Sequence, residues 1–166
     1  MPQITRVRTE TDADDVRLLV GEYLDWLLTR YPEDAAVIRA YWTNQDVPGQ
    51  LRNLLTLFAP PKAECLLARL NGDAVGIVMT KAHSGDMCEM NRMFVRPSAR
   101  GHGVRRALVS ELLDAARGLG YARMMLAVGP HHIEAIALYR SLGFADDPAL
   151  PNTGGGNFEV RMIRDL

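Results

Sequence analysis

The segment Asn91-Arg92-Met93-Phe94-Val95-Arg96-Pro97-Ser98-Ala99-Arg100-Gly101-His102-Gly103-Val104 decides the fold. Its first half is rich in apolar residues and reads as a β-strand, which Pro97 ends because proline has no N–H to give to a ladder. After a short polar turn, Gly101 and Gly103 free the backbone for positive φ or for the close approach of a ligand. Beyond them Val104, Ala107, Leu108, Leu112 and Ala115 recur at helical spacing. A helix entered through glycines presents unpaired N–H groups and the positive end of its dipole, which together attract anions, phosphate above all. Arg96, Arg100, Arg105 and Arg106 cluster around this loop, which suits either a polyphosphate partner or a solvated helix end.

Upstream, Cys65 to Leu70 and Ala74 to Met79 are apolar runs flanking Asn71-Gly72-Asp73, the composition of a hairpin turn. His83-Ser84-Gly85-Asp86 marks a second turn into Met87 to Val95, completing an antiparallel meander. The last of these strands is apolar except at Glu89, Asn91 and Arg92, as expected of a central strand covered on both faces. Downstream, the glycine-led helix closes at Gly118 and Gly120, and Tyr121 to Val128 is a compact strand. A strand–helix–strand crossover of this length is right-handed and makes its strands parallel. Pro130 precedes a helix through Ile133, Ile136, Ala137, Tyr139 and Leu142, which stops at Gly143. Asn152-Thr153-Gly154-Gly155-Gly156 reads as a flexible loop before a last strand, Phe158 to Ile163.

At the other end, Gln3 to Arg8 is a short strand, and Thr11 opens a helix with Asp14 in place of the capping-box glutamate. Val16, Leu19, Val20, Tyr23, Leu24, Leu27 and Leu28 give that helix one apolar face, and it ends before Pro32. Glu33 to Trp42 and Leu51 to Phe58 read as two more helices, separated by a linker from Thr43 to Gly49. Pro60-Pro61 breaks the last of them.

A chain of 166 residues predicts one domain, residues 1–166, with a substantial core. A net charge of −1 gives no general attraction to nucleic acid or membrane. The two cysteines, Cys65 and Cys88, have no metal-ligand or C-x-x-C spacing and sit in apolar strands, so they read as core residues in a reducing compartment. Met87, Met90 and Met93 read as core filler, and no metal is expected. With no apolar run of membrane-spanning length and no signal-peptide pattern, the expected location is the cytoplasm.

Two motifs carry a resemblance. Arg100 and Gly103 match the first and fourth positions of Q/R-x-x-G-x-G/A, the acyl-CoA pyrophosphate loop of the GNAT superfamily of N-acetyltransferases. Arg105 departs from it, standing where the family prefers glycine or alanine. Ala135, Leu138, Tyr139, Gly143 and Phe144 match a second signature, A-x-x-L-Y-x-x-x-G-F. By periodicity alone Tyr139 is a core residue of an amphipathic helix. Two motifs in the right order on the right elements are more specific than one glycine loop. The resemblance implies an α/β (α+β) fold with a mixed, mostly antiparallel sheet of about six to seven strands, helices on both faces and a splayed parallel pair.

The resemblance also implies chemistry: acetyl transfer from acetyl-CoA to an amine, without a metal. Met93, Phe94 and Val95 would offer main-chain contacts to the pantetheine arm, as an added strand does. The pyrophosphate would lie on the amides of Gly101, His102, Gly103, Val104 and Arg105, near Arg100. Tyr139 would protonate the departing thiolate, and a main-chain N–H near Phe94 would hold the oxyanion. Glu89 either takes a proton from the acceptor amine or pairs with an arginine and only shapes the site. His132 stands where relatives carry Asn or Gln, and either donates to the arm or is a surface residue. Tyr31, Tyr41 and Trp42 would wall the acceptor site, although Trp42 equally suits ordinary packing. The expected acceptor is a small or amino-acid-like primary amine, attacked directly in a ternary complex. A non-catalytic CoA-binding domain and a protein or peptide N-acetyltransferase stand as alternatives, with homodimerisation possible in each.

Overall fold

The computed structural model describes residues 1–147, 149 and 159–166. The loop expected at 152–156 and the start of the last strand at Phe158 lie outside the described residues. Strand β1 (Gln3–Arg6) leads into helix α1 (Glu10–Arg30). Thr9, not Thr11, caps this helix: its backbone is still extended, and its hydroxyl accepts from the Asp12 N–H at 3.2 Å, whereas Thr11 already lies in the first turn. A 3₁₀ turn at Pro32–Asp34 precedes α2 (Ala35–Asn44).

The expected linker is partly helical. Helix α3 (Val47–Arg52) starts inside it, because Asp46 accepts from the Gly49 N–H and Pro48 is tolerated in a first turn. The expected helix from Leu51 to Phe58 is divided at Asn53, whose amide donates to the Gly49 carbonyl at 3.0 Å, and only α4 (Leu54–Leu57) follows.

Strands β2 (Glu64–Leu70), β3 (Asp73–Ser84) and β4 (Met87–Val95) form the expected meander, with β3 running past Met79 to the second turn. Helix α5 (Val104–Gly118), β5 (Arg123–Val128), α6 (Ile133–Ser141), β6 (Ala145–Asp146) and β7 (Val160–Asp165) complete the chain. The strands make a seven-stranded sheet in the order β1-β2-β3-β4-β5-β7-β6. Every neighbouring pair is antiparallel except β4 and β5.

Helices cover both faces of the sheet. On one, Leu108, Leu112 and Ala116 of α5 pack on Leu66, Val78, Met90 and Met124. On the other, Val16, Leu19 and Val20 of α1 pack on Leu67, Ile77, Met79 and Phe94. Cys65 and Cys88 are both free thiols buried in these cores. The buried carboxylate of Glu64 is held by Arg8 through bonds of 2.7 and 2.8 Å.

Two irregularities of β4 shape the site. Its pairing with β5 runs only from Met87↔Arg123 to Glu89↔Met125, so the two strands part beyond Glu89. Its pairing with β3 passes from Ile77↔Phe94 to Met79↔Asn91, which leaves one extra residue in β4. That bulge contains Arg92, whose φ of +51° is uncommon for a residue with a long side chain. A bulge reverses the inward–outward alternation. It therefore sets Glu89, Asn91, Arg92 and Phe94 towards the α1 side, while Met90 and Val95 enter the α5 core.

Candidate active site

A cavity of about 590 Å³ opens where β4 and β5 diverge. Met90 to Phe94 form one wall and Leu126 to Pro130 the other. α1 and α2 supply Tyr23, Trp26, Tyr41 and Trp42, and α6 supplies Tyr139.

The open strand edges follow from the hydrogen bonds. Arg96 N–H donates to the Val75 carbonyl at 2.8 Å, so it faces β3. Peptide groups alternate in direction along a strand. Phe94 therefore also turns its N–H towards β3, in register with Ile77, while Met93 and Val95 turn theirs to the open edge. The expectation that Phe94 offers main-chain contacts is corrected accordingly. Its contribution is its ring, which stacks on Tyr23 at a centroid distance of 5.3 Å.

The glycine loop borders the cavity through its arginines. Gly101 and Gly103 have φ of +81° and +73°, and a Cβ added at either would meet nothing within 4 Å. Gly103 is the N-cap of α5. The loop is therefore open, and Arg105 does not close it. Arg105 and Arg100 line the cavity instead, and the buried Nε of Arg105 has no hydrogen-bond partner among the described residues. Arg100 lies over the Trp26 ring, 4.7 Å from its centroid. Burial, then the neighbouring Arg105 charge, lowers its pKa. The expected four-arginine cluster is smaller: Arg96 is taken by Glu22 through two bonds of 2.7 Å, and Arg106 donates to Ser141 Oγ. His102, exposed, turns its Nδ1 back towards the carbonyls of Ala99 and Arg100, and Val104, the first residue of α5, is buried in the core.

Tyr139 lies 6% exposed against the cavity, its ring edge-on to Phe144 of the same motif. Burial pushes its pKa up to about 12, so the phenol is protonated at neutral pH. Glu89 enters the cavity from β4 with its Oε2 4.0 Å from His83 Nδ1. His132 also lines the cavity and stacks on Tyr31 at 4.3 Å; burial lowers its pKa. At the rim, His131 Nδ1 is 3.3 Å from Asp34 Oδ2.

Tyr31, Tyr41 and Trp42 all line the cavity. Trp42 does double duty, packing edge-on against Tyr23 in the α1 core. Sequence reasoning missed Trp26, Arg30, Arg92 as a site residue, and Glu159. Arg92 had a local signal, being a charge in a strand otherwise read as doubly covered. Glu159 had none, since it stands just before β7, which meets β5 only once the sheet has formed. Burial raises the Glu159 pKa, and the charge of Glu89 adds to the shift.

With this geometry in place, the comparisons with known proteins agree on the class. Residues 22–144 match the acetyltransferase (GNAT) family, and the chain belongs to that family. An uncharacterised N-acetyltransferase of Schizosaccharomyces pombe is 34% identical, over 85% of this chain and 81% of its own length. An IAA acetyltransferase of Azospirillum brasilense is also 34% identical, over 88% of this chain and 87% of its own. In three dimensions the fold matches a GNAT acetyltransferase of Staphylococcus aureus with a TM-score of 0.77, covering 100% of this chain and 99% of that one at 16% identity. The PaiA N-acetyltransferase of Thermoplasma acidophilum, solved in complex with coenzyme A, matches with a TM-score of 0.74 over 100% and 99% at 13% identity. The chain is thus an acyl-transferring enzyme of the N-acetyltransferase class. Among the described residues, no helix is long and apolar enough to cross a membrane.

Proposed function

We propose that this chain transfers an acetyl group from acetyl-CoA to the primary amine of a small, amino-acid-like acceptor. The observation that carries the reading is the position of Tyr139, buried and protonated, beside the gap between β4 and β5. Acetyl-CoA brings an activated thioester and a diphosphate. The chain's features suit both. The open N–H groups of Met93 and Val95 are placed to pair with an amide-bearing arm. The glycine loop with Arg100 and Arg105 suits the diphosphate: the amides and dipole of α5 favour an anion, and Arg105 Nε has no hydrogen-bond partner among the described residues.

The acceptor must reach the thioester as a neutral amine, whereas an alkyl ammonium loses its proton only near pH 10.4. Glu89 takes that proton, directly or through one water, and His83 beside it helps to orient the carboxylate. The amine nitrogen then bonds to the carbonyl carbon and the carbon–sulfur bond breaks. Tyr139 gives its proton to the departing sulfur and regains one, through solvent, from the nitrogen that has become an amide. No side chain is acylated on the way. Both cysteines are buried, and burial raises both thiol pKa values, which leaves them poor nucleophiles.

The test is release of free thiol from acetyl-CoA across a panel of primary amines and amino acids, with mass spectrometry of the product. Acceptor-dependent thiol release with one added acetyl group supports the reading. Turnover no faster than hydrolysis with every acceptor contradicts it.

A further inference from the structure

The cavity has two poles of opposite charge, and among the described residues its cationic pole has no ion-paired carboxylate. Arg92 is 9% exposed and lines the cavity. Its Nη2 donates to the neutral Gln50 Oε1 at 2.7 Å, and its Nη1 meets only the Met79 sulfur at 3.8 Å. Its Nε is buried without a partner. The Phe58 ring covers it at 5.8 Å. Among the described residues, no carboxylate oxygen lies within 4.0 Å of it. Arg96, four residues on, shows the contrast: its Nε and Nη2 hold both oxygens of Glu22 at 2.7 Å. A guanidinium so deeply buried ordinarily has an anionic partner, because desolvation of the charge is otherwise uncompensated. Burial accordingly depresses the Arg92 pKa. With Phe58, Met79 and Gln50 occupying its other sides, the cavity is the direction from which an anion reaches it.

The anionic pole is Glu89 with Glu159. Both line the cavity; burial raises the Glu159 pKa, and the charge of Glu89 adds to that shift. Tyr41, also in the cavity wall, is within electrostatic range of Glu89, Arg92 and Glu159. The bulge in β4 is what sets both poles on one face: with regular alternation, Glu89 and Arg92, three residues apart, would point to opposite sides.

We infer that the acceptor is a zwitterion, a free amino acid whose carboxylate docks on Arg92 while its amine lies at Glu89 and Glu159. This rests on the transferase reading for its chemistry, but the binding claim stands on the two poles alone. A guanidinium accepts a carboxylate through paired N–H donors, so a free carboxylate fits where an amide, a peptide or a simple amine does not. A protein N-terminus places a neutral peptide carbonyl at that position and leaves Arg92 without its counter-charge.

The experiment uses matched triads: an L-amino acid, its C-terminal amide, and the amine lacking the carboxyl group. Small, acidic and aromatic side chains are each represented. Binding is followed with CoA present, by fluorescence of Trp26 and Trp42, the chain's two tryptophans, both in the cavity wall. At least one free amino acid should bind about 100-fold more tightly than its amide and its amine, the scale expected when a buried polar group loses its partner. Arg92→Gln should erase that preference and Arg92→Lys should keep part of it. The melting-temperature response of each variant to CoA controls for folding. Equal binding across the triads, no binding of any member, or an undiminished preference in Arg92→Gln overturns the inference. If Arg92→Gln does not fold, the native triads and Arg92→Lys decide it.

Thiol release from acetyl-CoA with the same triads separates the two ideas. Selective binding of amino acids without thiol release sinks the transferase reading and leaves the docking of carboxylate on Arg92 in place. Acetylation of amines regardless of the carboxyl group does the reverse.

Discussion

The rings of Tyr31 and His132 stack nearly parallel, 4.3 Å apart and inclined by 13°, and so join the end of α1 to the start of α6 at the cavity. Burial holds His132 neutral by lowering its pKa below the ordinary 6.5. A histidine shifted in this direction contributes stability that is full above pH 6.5 and fades as pH falls through its folded-state value. His132→Ala is therefore expected to lower stability by roughly 1 kcal/mol at alkaline pH. The gap to the native chain should narrow on acidification, as read by thermal unfolding of the two proteins side by side. A gap that widens in acid contradicts the buried, neutral ring.

In the proposed reaction Tyr139 is the proton donor, and its ionisation lies out of the way. Because burial raises its pKa to about 12, turnover should show no alkaline loss from this group up to about pH 10. Tyr139→Phe should reduce kcat by about 100-fold and leave the KM for acetyl-CoA near its native value, since the ring remains and only the transferable proton is gone. An unchanged kcat at saturating substrates removes the phenol from the mechanism.

Arg105 stands where the family prefers a small residue, and its side chain turns to the cavity while the glycine loop stays open. If it pairs with the diphosphate, Arg105→Ala should weaken acetyl-CoA binding by about tenfold or more, the value of a charge-assisted hydrogen bond, with little change in acceptor KM. Tighter binding in the variant would mean that the arginine crowds the ligand. Calorimetric titration with CoA distinguishes the two.

Glu159 has a raised pKa because burial disfavours its charge, and Glu89 adds to the effect. Its stabilising contribution is thus full below its ordinary value of 4.5 and is lost as pH rises through the folded-state value. Glu159→Gln should therefore raise the melting temperature at pH 7, with the gain disappearing as pH falls to about 4.5. A loss of stability at neutral pH would show that Arg161, 3.8 Å away, outweighs the burial.

Glu64 is 0% exposed and depends on Arg8, with Arg6 more distant at 3.6 Å. Arg8→Met should cost about 2 kcal/mol, less than the 3–5 typical of breaking a fully buried pair because Arg8 itself is 42% exposed. Adding Glu64→Gln should recover part of that loss in chemical denaturation, since it removes the stranded charge.

Much of this protein was legible because its signals are local. Helical spacing after Gly103, the Asn71-Gly72 hairpin and the stop at Gly143 each depend on a few adjacent residues, and each appears where expected. The parallel pairing of β4 with β5 followed from the crossover alone. The misreadings lie where a side chain competes with the backbone: Thr9 taking the cap, and Asn53 dividing a helix.

By itself, then, the sequence determined the order of elements, the sheet they form and the two motifs that frame a glycine loop and a buried tyrosine, because periodicity, glycine and proline act over a few residues. Only the tertiary structure decided which way the charges of β4 face. That depends on one extra residue at Arg92 against β3, and a register is a relation between strands that neither strand carries alone. It also decided that Arg96 is ion-paired with Glu22 while Arg92 has no ion-paired carboxylate among the described residues, since a salt bridge between positions 74 residues apart exists only once the fold has brought them together.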